Sequence, residues 1–356
     1  MTIIPFKLSL IYGKTKMTIV EIAKKAGVSN MTVSNVINGK TKKVSKATAE
    51  KINKIIKETH YTPNLNARSL SSPSSKIIAV FVPLIEKQKN INLFLNPYLS
   101  EMIGIFEEYF REKGYYSMLR SIDTVDAVCS FIDNWNLDGA IMVYPYFEKE
   151  IDILKKEAKI PLVYLDFSHP TFDGLTINIE DKKGIYLSTK YLIELGHTKI
   201  AFIGNYENNH LVMARYKGYE QALKEAKIPI NEDYVYKILP DYDNGILAGR
   251  DIAKKRQVTA VVTTADFSAS GVIEGARDMG FSIPEDLSVT GFDNTLLSSL
   301  AYPKLTTVDQ HIDKKARAAA ELLIDRISGK NELKQHLVLD VVLVKRGSTS
   351  KPRKDL

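Results

Sequence analysis

Apolar side chains recur at helical spacing in the segment that follows residue 16. This spacing predicts three short amphipathic helices. Their inward-facing residues are Ile19, Ile22 and Ala26, then Val33, Val36 and Ile37, then Ala49, Ile52, Ile55 and Ile56. Thr18 and Glu21 form a capping box before the first helix, and Gly27 permits the tight turn after it. Three short helices with a glycine turn between the first two predict a helix-turn-helix domain at residues 17–63.

The predicted second helix leaves four side chains pointing away from its apolar face: Asn30, Met31, Ser34 and Asn35. A helix in this position places such residues against base edges in the major groove, where asparagine can pair with adenine and methionine makes only apolar contacts. Ser29, Thr32 and the neighbouring lysines are candidates for phosphate contacts, which fix the register without reading sequence. The alternative is that Asn30 and Asn35 are merely solvated polar residues.

The positive charge is concentrated in the same segment. The whole chain has a formal net charge of +7 at pH 7. Residues 17–75 contain ten Lys and Arg against three Glu, so residues 76–356 are slightly acidic overall. A basic head on an acidic body indicates that the head meets a polyanion. With the helix pattern, the predicted partner is double-stranded DNA.

After residue 76, short apolar strands alternate with amphipathic helices. Strands are predicted at 77–82, 116–119, 139–143, 162–165, 175–179, 200–203, 260–263 and 287–290, and helices between them include 99–113, 184–195, 215–226, 269–279 and 314–328. This alternation predicts parallel sheets covered on both faces. The units are too many for one sheet, so we predict two Rossmann-like lobes. A strand at 337–344 is expected to return the chain to the second lobe.

Ligands of such sheets bind beyond the carboxyl ends of the strands. Three carboxylates follow predicted strands there, Asp166, Asp266 and Asp293, and Arg215 opens a helix. Carboxylates and a guanidinium that converge on a cleft suit a polyhydroxylated ligand. Each of these groups can bind two adjacent hydroxyls at once in a fixed, forked geometry. Tyr98 and Tyr242 are candidates for covering an apolar sugar face. The alternative is that some of these aspartates only cap the helices that follow.

The head resembles the lactose-repressor (LacI/GalR) family. The resemblance rests on Ala26-Gly27-Val28-Ser29, Thr32-Val33-Ser34 and Asn38, then on Tyr61-x-Pro63-Asn64-x-x-Ala67-x-x-Leu70. It implies DNA contacts by Thr18, Asn38, Tyr61, Asn64, Ala67 and Leu70 in addition to the second helix. In that family the segment 64–70 forms a hinge helix only on operator, pairs with its dimer mate and enters the minor groove. Leu70 matches the apolar wedge, and the alternative is a linker residue packed on the body. Leu70→Ala is expected to weaken operator binding and to leave effector affinity intact.

More loosely, the resemblance extends through the body to Gly347. It implies a periplasmic-binding-protein-like fold with an effector between the lobes. Arg215, in Ala214-Arg215-x-x-Gly218-Tyr219, matches the effector-holding arginine, and Asp293 matches the ligand aspartate. Asp166 matches a position that contacts ligand in some members, and Asn96-Pro97-Tyr98 resembles the pocket loop. Ala265 stands where many members carry Asn, and the loop at 84–95 is longer and more polar than usual, so the identity of the effector is not carried over.

Other classes of chemistry find little support. Cys129 is the only cysteine, so no intrachain disulfide can form. No apolar stretch reaches the roughly 18 residues that a membrane span needs, no phosphate-binding loop is found, and no Cys or His spacing indicates a metal. His197, in Gly196-His197-x-x-Ile200, has no nucleophile nearby in sequence and is interpreted as structural. We therefore expect a cytoplasmic protein with no cofactor, metal, membrane or catalytic residue.

The sequence thus predicts a small all-α helix-turn-helix head and an α/β two-lobed body. The expected boundaries are an N-terminal extension at 1–16, the head at 17–63, a hinge helix and linker at 64–75, the body at 76–347 and a basic tail at 348–356. Within the body, the first lobe is expected at about 76–176 and 308–333 and the second at about 177–305 and 336–347, with chain crossings at about 175–180, 304–309 and 333–337. The hypothesis is a homodimeric repressor that binds a pseudo-palindromic operator and is controlled by a small molecule, a carbohydrate or derivative.

Two alternatives come from other classes of protein. A solute-binding protein of a transporter would share the two-lobed body, but it needs a secretion signal and has no use for residues 17–70. A sugar-processing enzyme would need a paired acid and base or a metal, for which only Asp166 and Asp293 are candidates.

Overall fold

The computed structural model describes residues 17–37, 43–59, 61, 74–83, 93–145, 151–167, 172–207, 209–330 and 336–353. The chain divides into two compact units, a head that ends at Ser75 and a body that begins at Lys76. Each unit has its own apolar core. The predicted Asn38, Asn64, Ala67 and Leu70 lie outside the described residues, as do 1–16 and most of the hinge segment.

The head consists of α1 (Ile19–Ala26), α2 (Asn30–Ile37) and α3 (Lys46–Thr59). Thr18 and Glu21 form the predicted capping box, and Gly27 ends α1 with a left-handed φ of 72°. The three helices enclose a core of buried apolar residues: Ile22, Ala23, Ala26, Val33, Val36, Ile52 and Ile55. Lys51 donates from Nζ to the carbonyl oxygen of Ala26 at 2.8 Å, which ties α3 to the end of α1. The helix-turn-helix predicted from the sequence is confirmed.

The first lobe of the body is built on a six-stranded sheet in the order β11-β5-β4-β3-β1-β2. Its strands are β1 (Ile77–Pro83), β2 (Tyr116–Ile122), β3 (Gly139–Val143), β4 (Leu162–Leu165), β5 (Leu175–Ile179) and β11 (His336–Leu339). Its helices are α4 (Pro97–Glu112), α5 (Val125–Trp135), α6 (Ile151–Glu157) and α12 (Ile312–Ile327). All pairings in this sheet are parallel. The central strand β3 is buried at every residue because helices cover both faces.

The second lobe has a six-stranded sheet in the order β12-β10-β9-β8-β6-β7. Its strands are β6 (Ile200–Ile203), β7 (Val235–Tyr236), β8 (Ala260–Thr263), β9 (Ser288–Asp293), β10 (Thr306–Asp309) and β12 (Val342–Val344). Its helices are α7 (Asp181–Glu194), α8 (His210–Glu225), α9 (Tyr242–Lys255), α10 (Asp266–Asp278) and α11 (Leu296–Leu300). The pairing of β12 with β10 is antiparallel and the others are parallel. The two predicted lobes with parallel-dominated sheets are confirmed.

Close packing of α7 on α8 depends on Gly218. A Cβ atom built on this residue would lie 2.1 Å from the carbonyl oxygen of Lys182, which no real side chain tolerates. The glycine therefore lets the two helix backbones approach closely. This packing matters for function because α7 and α8 carry Asp181 and Arg215, which form part of the site described below.

In the part of the chain that the structure describes, the chain crosses between the lobes at three places, of which the first lies within the predicted range and the other two lie a few residues later than predicted. They fall at residue 180 after β5, at 310–311 after β10 and at 340–341 between β11 and β12. The predicted strand at 337–344 is wrong because it is two strands: β11 pairs with β5 in the first lobe and β12 with β10 in the second. Apolar periodicity continues through both strands, so the sequence gives no sign of the change of sheet.

The predicted basic tail from residue 348 is also wrong, because residues 348–353 are part of the second lobe. Ser348 is fully buried, and its Oγ donates to the carbonyl oxygen of Val289 at 2.6 Å. His197 lies in the same region. Its Nδ1 is 2.8 Å from Thr259 Oγ1 and its Nε2 is 2.9 Å from the carbonyl oxygen of Ser350, a structural role. Burial lowers the pKa of His197 and keeps the ring neutral.

Candidate functional site

The outer surface of α2 is polar and accessible. Asn30 and Met31 are exposed, and Met31 is 71% accessible. Ser34 and Asn35 lie half-buried on the same short helix, and Val33 and Val36 face the core. Nothing in the described head covers Met31, so its side chain is accessible to a partner outside the head.

Three other residues of the head that are predicted to contact DNA have local structural roles. Ser29 Oγ accepts from the backbone N–H of Thr32 at 3.2 Å and begins α2. Thr18 begins α1 in the same way. Tyr61 packs half-buried on the core of the head, and burial raises its pKa. These residues hold the ends of the helices in place, and the hydroxyls of Ser29 and Thr18 remain exposed at helix N-termini, where the backbone favours anions.

In the body, a cavity of about 720 Å³ lies between the two lobes at the carboxyl ends of their strands. Residues of both lobes line it, and five of the six predicted effector residues are among them: Tyr98, Asp166, Arg215, Tyr242 and Asp293. Further polar residues at the cavity are Asn96, Asn205, Asn209, Asp241, Asp243, Asn244, Thr264, Thr295 and Gln310. The volume falls within the range of about 300–1,000 Å³ that is typical of small-molecule sites.

A chain of hydrogen bonds crosses the floor of this cavity from one lobe to the other. Tyr98 donates from its hydroxyl to Asp166 Oδ2, and Lys315 donates from Nζ to Asp166 Oδ1 at 2.8 Å. Lys315 Nζ also donates to Gln310 Oε1 at 2.5 Å. Gln310 in turn donates from Nε2 to Asp293 Oδ1 at 2.5 Å. The first three residues belong to the first lobe, Gln310 lies at a crossing and Asp293 ends β9 of the second lobe, so the chain joins both lobes through one crossing.

Arg215 is held in a rigid setting on α8. Its Nε donates to Asp181 Oδ1 at 2.8 Å, its Nη1 donates to the carbonyl oxygen of Thr264 at 2.7 Å, and its guanidinium lies 3.8 Å from the centre of the Phe292 ring. Among the described residues, Nη2 makes no further hydrogen bond. The guanidinium is therefore oriented by the protein and keeps donors for a ligand.

Burial governs the acids of this site. It raises the pKa of Asp293 well above 3.8, an effect strengthened by the nearby Asp266 and opposed by Arg215, Lys315 and Gln310. Burial likewise raises the pKa of Asp181, against the lowering effect of Arg215. For Arg215, burial lowers the pKa, but the adjacent carboxylates Asp181 and Asp293 outweigh it and the net change is upward. The site is thus a strongly polar environment in which the buried Asp293 and Asp181 take up a proton more readily than an aspartate does in water.

Backbone conformation at the strand ends is unusual in the same region. Tyr144 after β3, Asp166 after β4 and Asp293 at the end of β9 have φ values of 51°, 54° and 117°. Residues other than glycine rarely adopt positive φ, and such strain concentrates at functional sites. All three residues line the cavity, so the strain coincides with the candidate site.

Asp266 is the predicted effector residue that the structure does not bring to the cavity. It is fully buried at the start of α10. Its Oδ2 accepts from the backbone N–H of Thr295 at 2.9 Å and its Oδ1 accepts from Thr307 Oγ1 at 2.5 Å. Burial raises the pKa of Asp266, and these hydrogen bonds oppose the rise. The aspartate therefore serves to hold β10 and the segment after β9 together, and it does not cap the helix that follows it, which was the alternative considered from the sequence.

The structure also adds residues that the sequence did not single out. In the sequence, Lys315 is one of several charged residues on a helix and Gln310 is a polar residue after a strand, so neither is recognisable as a site residue. The fold brings Lys315 to Asp166 and Gln310 to Asp293. Asn209 is a third example. It begins α8 in the second lobe and donates from Nδ2 to the hydroxyl of Tyr144 in the first lobe.

Tyr242 lies further along the cavity and plays a different part. Its ring stacks on Phe267 with centroids 5.5 Å apart and an interplanar angle of 21°. Its hydroxyl donates to Glu274, which raises the pKa of Tyr242 to about 12. The described residues include no cluster of His, Cys, Asp and Glu suited to a metal ion, and no helix among them is long and apolar enough to span a membrane.

Fold and site together define a class of protein, in which a helix-turn-helix head is joined to a two-lobed body with a ligand-sized cavity between the lobes. Comparison with known proteins agrees for both parts. Residues 18–64 match the model of the bacterial regulatory proteins of the lacI family, and residues 189–349 match a periplasmic binding protein-like domain.

Relatives cover nearly the whole chain. It is 33% identical over 338 residues to the HTH-type transcriptional repressor PurR of Vibrio atlanticus, an alignment that spans 93% of this chain and 98% of the relative. The PurR repressor of Haemophilus influenzae is also 33% identical, over 91% of this chain and 95% of its own. The chain therefore belongs to the lacI family of bacterial regulatory proteins. It is a DNA-binding transcriptional regulator and not an enzyme.

Solved structures give the same result. A complex of the transcriptional regulator CelR with cellobiose is 28% identical, with a TM-score of 0.69 over 94% of this chain and all of that one. A lacI-family regulator of Enterococcus faecium with bound ribose is 26% identical, with a TM-score of 0.68 over 78% of this chain and all of its own. The lac repressor dimer bound to operator and to the anti-inducer ONPF has a TM-score of 0.81 at 24% identity, over 94% of this chain and all of that one, which supports the fold.

Proposed function

We propose that this regulator is a cytoplasmic repressor that binds a pseudo-palindromic operator as a homodimer and is controlled by a carbohydrate or carbohydrate derivative in the inter-lobe cavity. The observation that carries the proposal is the convergence of Asp166, Arg215, Gln310 and Asp293 from both lobes on one cavity. A ligand that contacts both lobes favours one lobe arrangement over another, which is the basis of control by population shift.

The outer surface of α2 supports the DNA-binding part. Asn30 and Met31 occupy its first turn, the part of a recognition helix that meets base edges, and Asn35 follows one turn later. We assign base reading to these residues and phosphate contacts to Ser29, Thr32 and the lysines around them. Asn64, Ala67 and Leu70 are assigned to the minor groove on the strength of the sequence pattern alone.

An exposed apolar surface on the second lobe supports the dimer. Leu296 and Leu300 on α11 are 70% and 72% accessible, and Tyr302 just after it is 84% accessible. Tyr302 lies under the guanidinium of Arg277 on α10, at 5.8 Å, so the neighbouring helix continues this surface. Large apolar side chains this exposed mark an interaction site. We assign the surface to a second copy of the chain because the lac repressor, which shares the fold, is a dimer on its operator.

The charge balance of the described cavity favours an uncharged ligand. Arg215 is paired with Asp181 and Lys315 with Asp166, so a carboxylate of the protein already balances the charge of each cation. Asp293 adds a further acidic group. Hydroxyl groups, which both donate and accept hydrogen bonds, match such a mixture of carboxylates, amides and a guanidinium. The related CelR and Enterococcus faecium regulators hold cellobiose and ribose, which are uncharged sugars.

The test begins with the selection of bound DNA from a random pool, followed by titration of that DNA with a panel of neutral sugars and their phosphates. We expect a symmetric site and a change of operator affinity by a neutral sugar. By thermodynamic linkage the operator must change the affinity for that sugar by the same factor. A selected site without two-fold symmetry would contradict the dimer, and an effect of the phosphates alone would contradict the neutral ligand.

A matched pair of variants separates the cavity from general effects of charge. Arg215→Lys keeps the positive charge but loses the planar fork, so it should bind the operator normally and lose most of its response to the sugar. Arg250→Lys makes the same change at an exposed ion pair with Asp278 and should respond as the unmodified protein does. Equal responses of the two variants would refute the assignment of Arg215.

A further inference from the structure

The two lobes contact each other at a point away from the chain crossings. Asn209, at the start of α8 in the second lobe, donates from its side-chain nitrogen Nδ2 to the hydroxyl oxygen of Tyr144 in the first lobe. Tyr144 follows β3, which is two strands from β5, and Asn209 follows β6, which is three strands from β10. Because the chain crosses between the lobes after β5 and after β10, this hydrogen bond is separated from those crossings in both sheets.

This position makes the hydrogen bond sensitive to movement of the lobes. Chain crossings form the hinge of a two-lobed body, and a rotation about a hinge displaces atoms in proportion to their distance from it. The bond between Gln310 and Asp293 starts at a crossing and is displaced little. The bond between Tyr144 and Asn209 lies further out, so it must break when the lobes separate.

The first lobe holds Tyr144 in place before the contact is made. The backbone of Tyr144 has a φ of 51°, and its N–H donates to the carbonyl oxygen of Leu165 at 2.9 Å. Its side chain packs half-buried against the core of the first lobe. The hydroxyl is therefore presented to the second lobe from a fixed backbone position.

The second lobe fixes Asn209 in a similar way. Its Oδ1 accepts from the backbone N–H of Val212 at 3.0 Å and caps α8. With the oxygen engaged by the helix, the nitrogen of the same amide is directed to Tyr144. Of the residues that cap helices well, only asparagine carries the acceptor and an N–H donor on two separate atoms. Asn209 can thus cap α8 and bind the first lobe at the same time.

Both partners of this bond line the cavity and both belong to the chain itself. We propose that Tyr144 and Asn209 form a latch that holds the lobes together before any effector binds. The latch sets the resting balance between closed and open lobes, and with it the free energy that an effector must supply to shift that balance. This inference goes beyond the proposed function, because it depends neither on the identity of the effector nor on the operator.

Distances between two spin labels measure this balance without a ligand. In the full chain carrying Cys129→Ser, Asp126→Cys on α5 and Lys217→Cys on α8 provide one exposed labelling site in each lobe. Pulsed dipolar spectroscopy gives the populations, and the distance in the structure defines the closed one. Tyr144→Phe removes the hydroxyl and keeps the ring. We expect it to lower the ratio of closed to open molecules about fivefold, which corresponds to about 1 kcal/mol.

Asn209→Ser tests the other partner. Serine still offers an oxygen to cap α8, but it is too short to reach Tyr144. It should lower the ratio by a similar factor, and the double variant should lower it no further than either single variant, because both remove the same bond.

Two matched controls make the same changes within the second lobe. Tyr186→Phe removes a hydroxyl that donates to Glu225 on the neighbouring helix. Asn231→Ser changes a residue whose Oδ1 accepts from the backbone N–H of Asp233 and caps a short helical turn. Neither control should change the ratio of closed to open molecules.

An unchanged ratio in Tyr144→Phe, or losses that add in the double variant, would overturn the latch. Because no sugar and no DNA are present, these outcomes leave the proposed function untouched. Affinity for the selected operator, measured in parallel by gel shift, should change by the same factor in Tyr144→Phe and Asn209→Ser. A changed ratio with equal operator affinity would support the latch and contradict the coupling of lobes to operator in the proposed function.

Discussion

Replacement of the buried Lys315 by methionine tests whether the polar chain between the lobes is coupled as the structure indicates. Lys315 has no accessible surface, and its Nζ lies 2.8 Å from Asp166 Oδ1. Methionine preserves most of the side-chain volume but removes the ammonium. The carboxylate of Asp166 is then left buried without its cation, and Gln310 Oε1 loses its donor.

Removal of one partner from a buried ion pair costs about 3–5 kcal/mol, much of it from the charge left unpaired. We therefore expect Lys315→Met and Asp166→Asn each to lower the free energy of unfolding of the body by about 3 kcal/mol. The double variant leaves no unpaired charge. Its loss should be close to that of either single variant and well short of their sum, a coupling of about 2–3 kcal/mol.

Urea unfolding of the full chain, followed by tryptophan fluorescence, measures these losses. Trp135 is the only tryptophan and lies on α5, so the signal reports on the body alone. Lys255→Met removes an exposed ion pair with Asp251 and serves as the control, for which no measurable change is expected. Additive losses in the double variant, or a loss for Lys315→Met no larger than for Lys255→Met, would show that the pair is not coupled.

Three further predictions follow from single residues. Because burial raises the pKa of Asp293, the folded body binds a proton there more tightly than the unfolded chain, so its stability should fall as the pH rises above 3.8, by up to about 1.4 kcal/mol per pH unit. Asp293→Asn should reduce this decline in urea unfolding from pH 5 to 8, to which the buried Asp181 and Asp266 also contribute, and an unchanged slope would contradict the buried acid. Gly218→Ala should destabilise the body by about 1–3 kcal/mol in the same assay, whereas Gly104→Ala, where the new methyl meets nothing within 4 Å in the middle of a helix, should be neutral or slightly stabilising. Met31→Ala should leave the melting of the head unchanged and weaken binding to the selected operator in a gel-shift titration, and equal affinity would remove Met31 from the reading surface.

The sequence was sufficient where the chemistry is local. The capping box of Thr18 and Glu21 and the left-handed turn at Gly27 involve neighbouring residues, so their meaning does not depend on the rest of the chain. Most strands of the body were predictable for a similar reason, since strands buried on both faces read as short apolar runs, but β7 and β10 were not predicted. Asp166 and Asp293 could be chosen because a parallel sheet gathers the carboxyl ends of its strands at one edge.

The errors have a common cause. Asp266 also follows a buried strand, but its side chain turns into the lobe toward Thr295 and Thr307 instead of the cavity. The direction of a side chain after a strand depends on which hydrogen-bond donors lie near it, and only the tertiary structure determines that. The division of residues 336–344 between two sheets could not be predicted for the same reason. The apolar pattern predicts that a segment is a strand, but it does not predict which sheet the strand joins.

By itself, then, the sequence determined the helix-turn-helix head, the alternation of strands and helices in the body, and the edge of the sheets at which the cavity lies. Only the tertiary structure decided that Lys315 and Gln310 link Asp166 to Asp293 across the lobes, and that Tyr242 and Phe267 stack beside the same cavity. The reason is that periodicity and capping arise from neighbours in the chain, whereas a buried network and a cavity between lobes arise from residues as far apart as 149 positions.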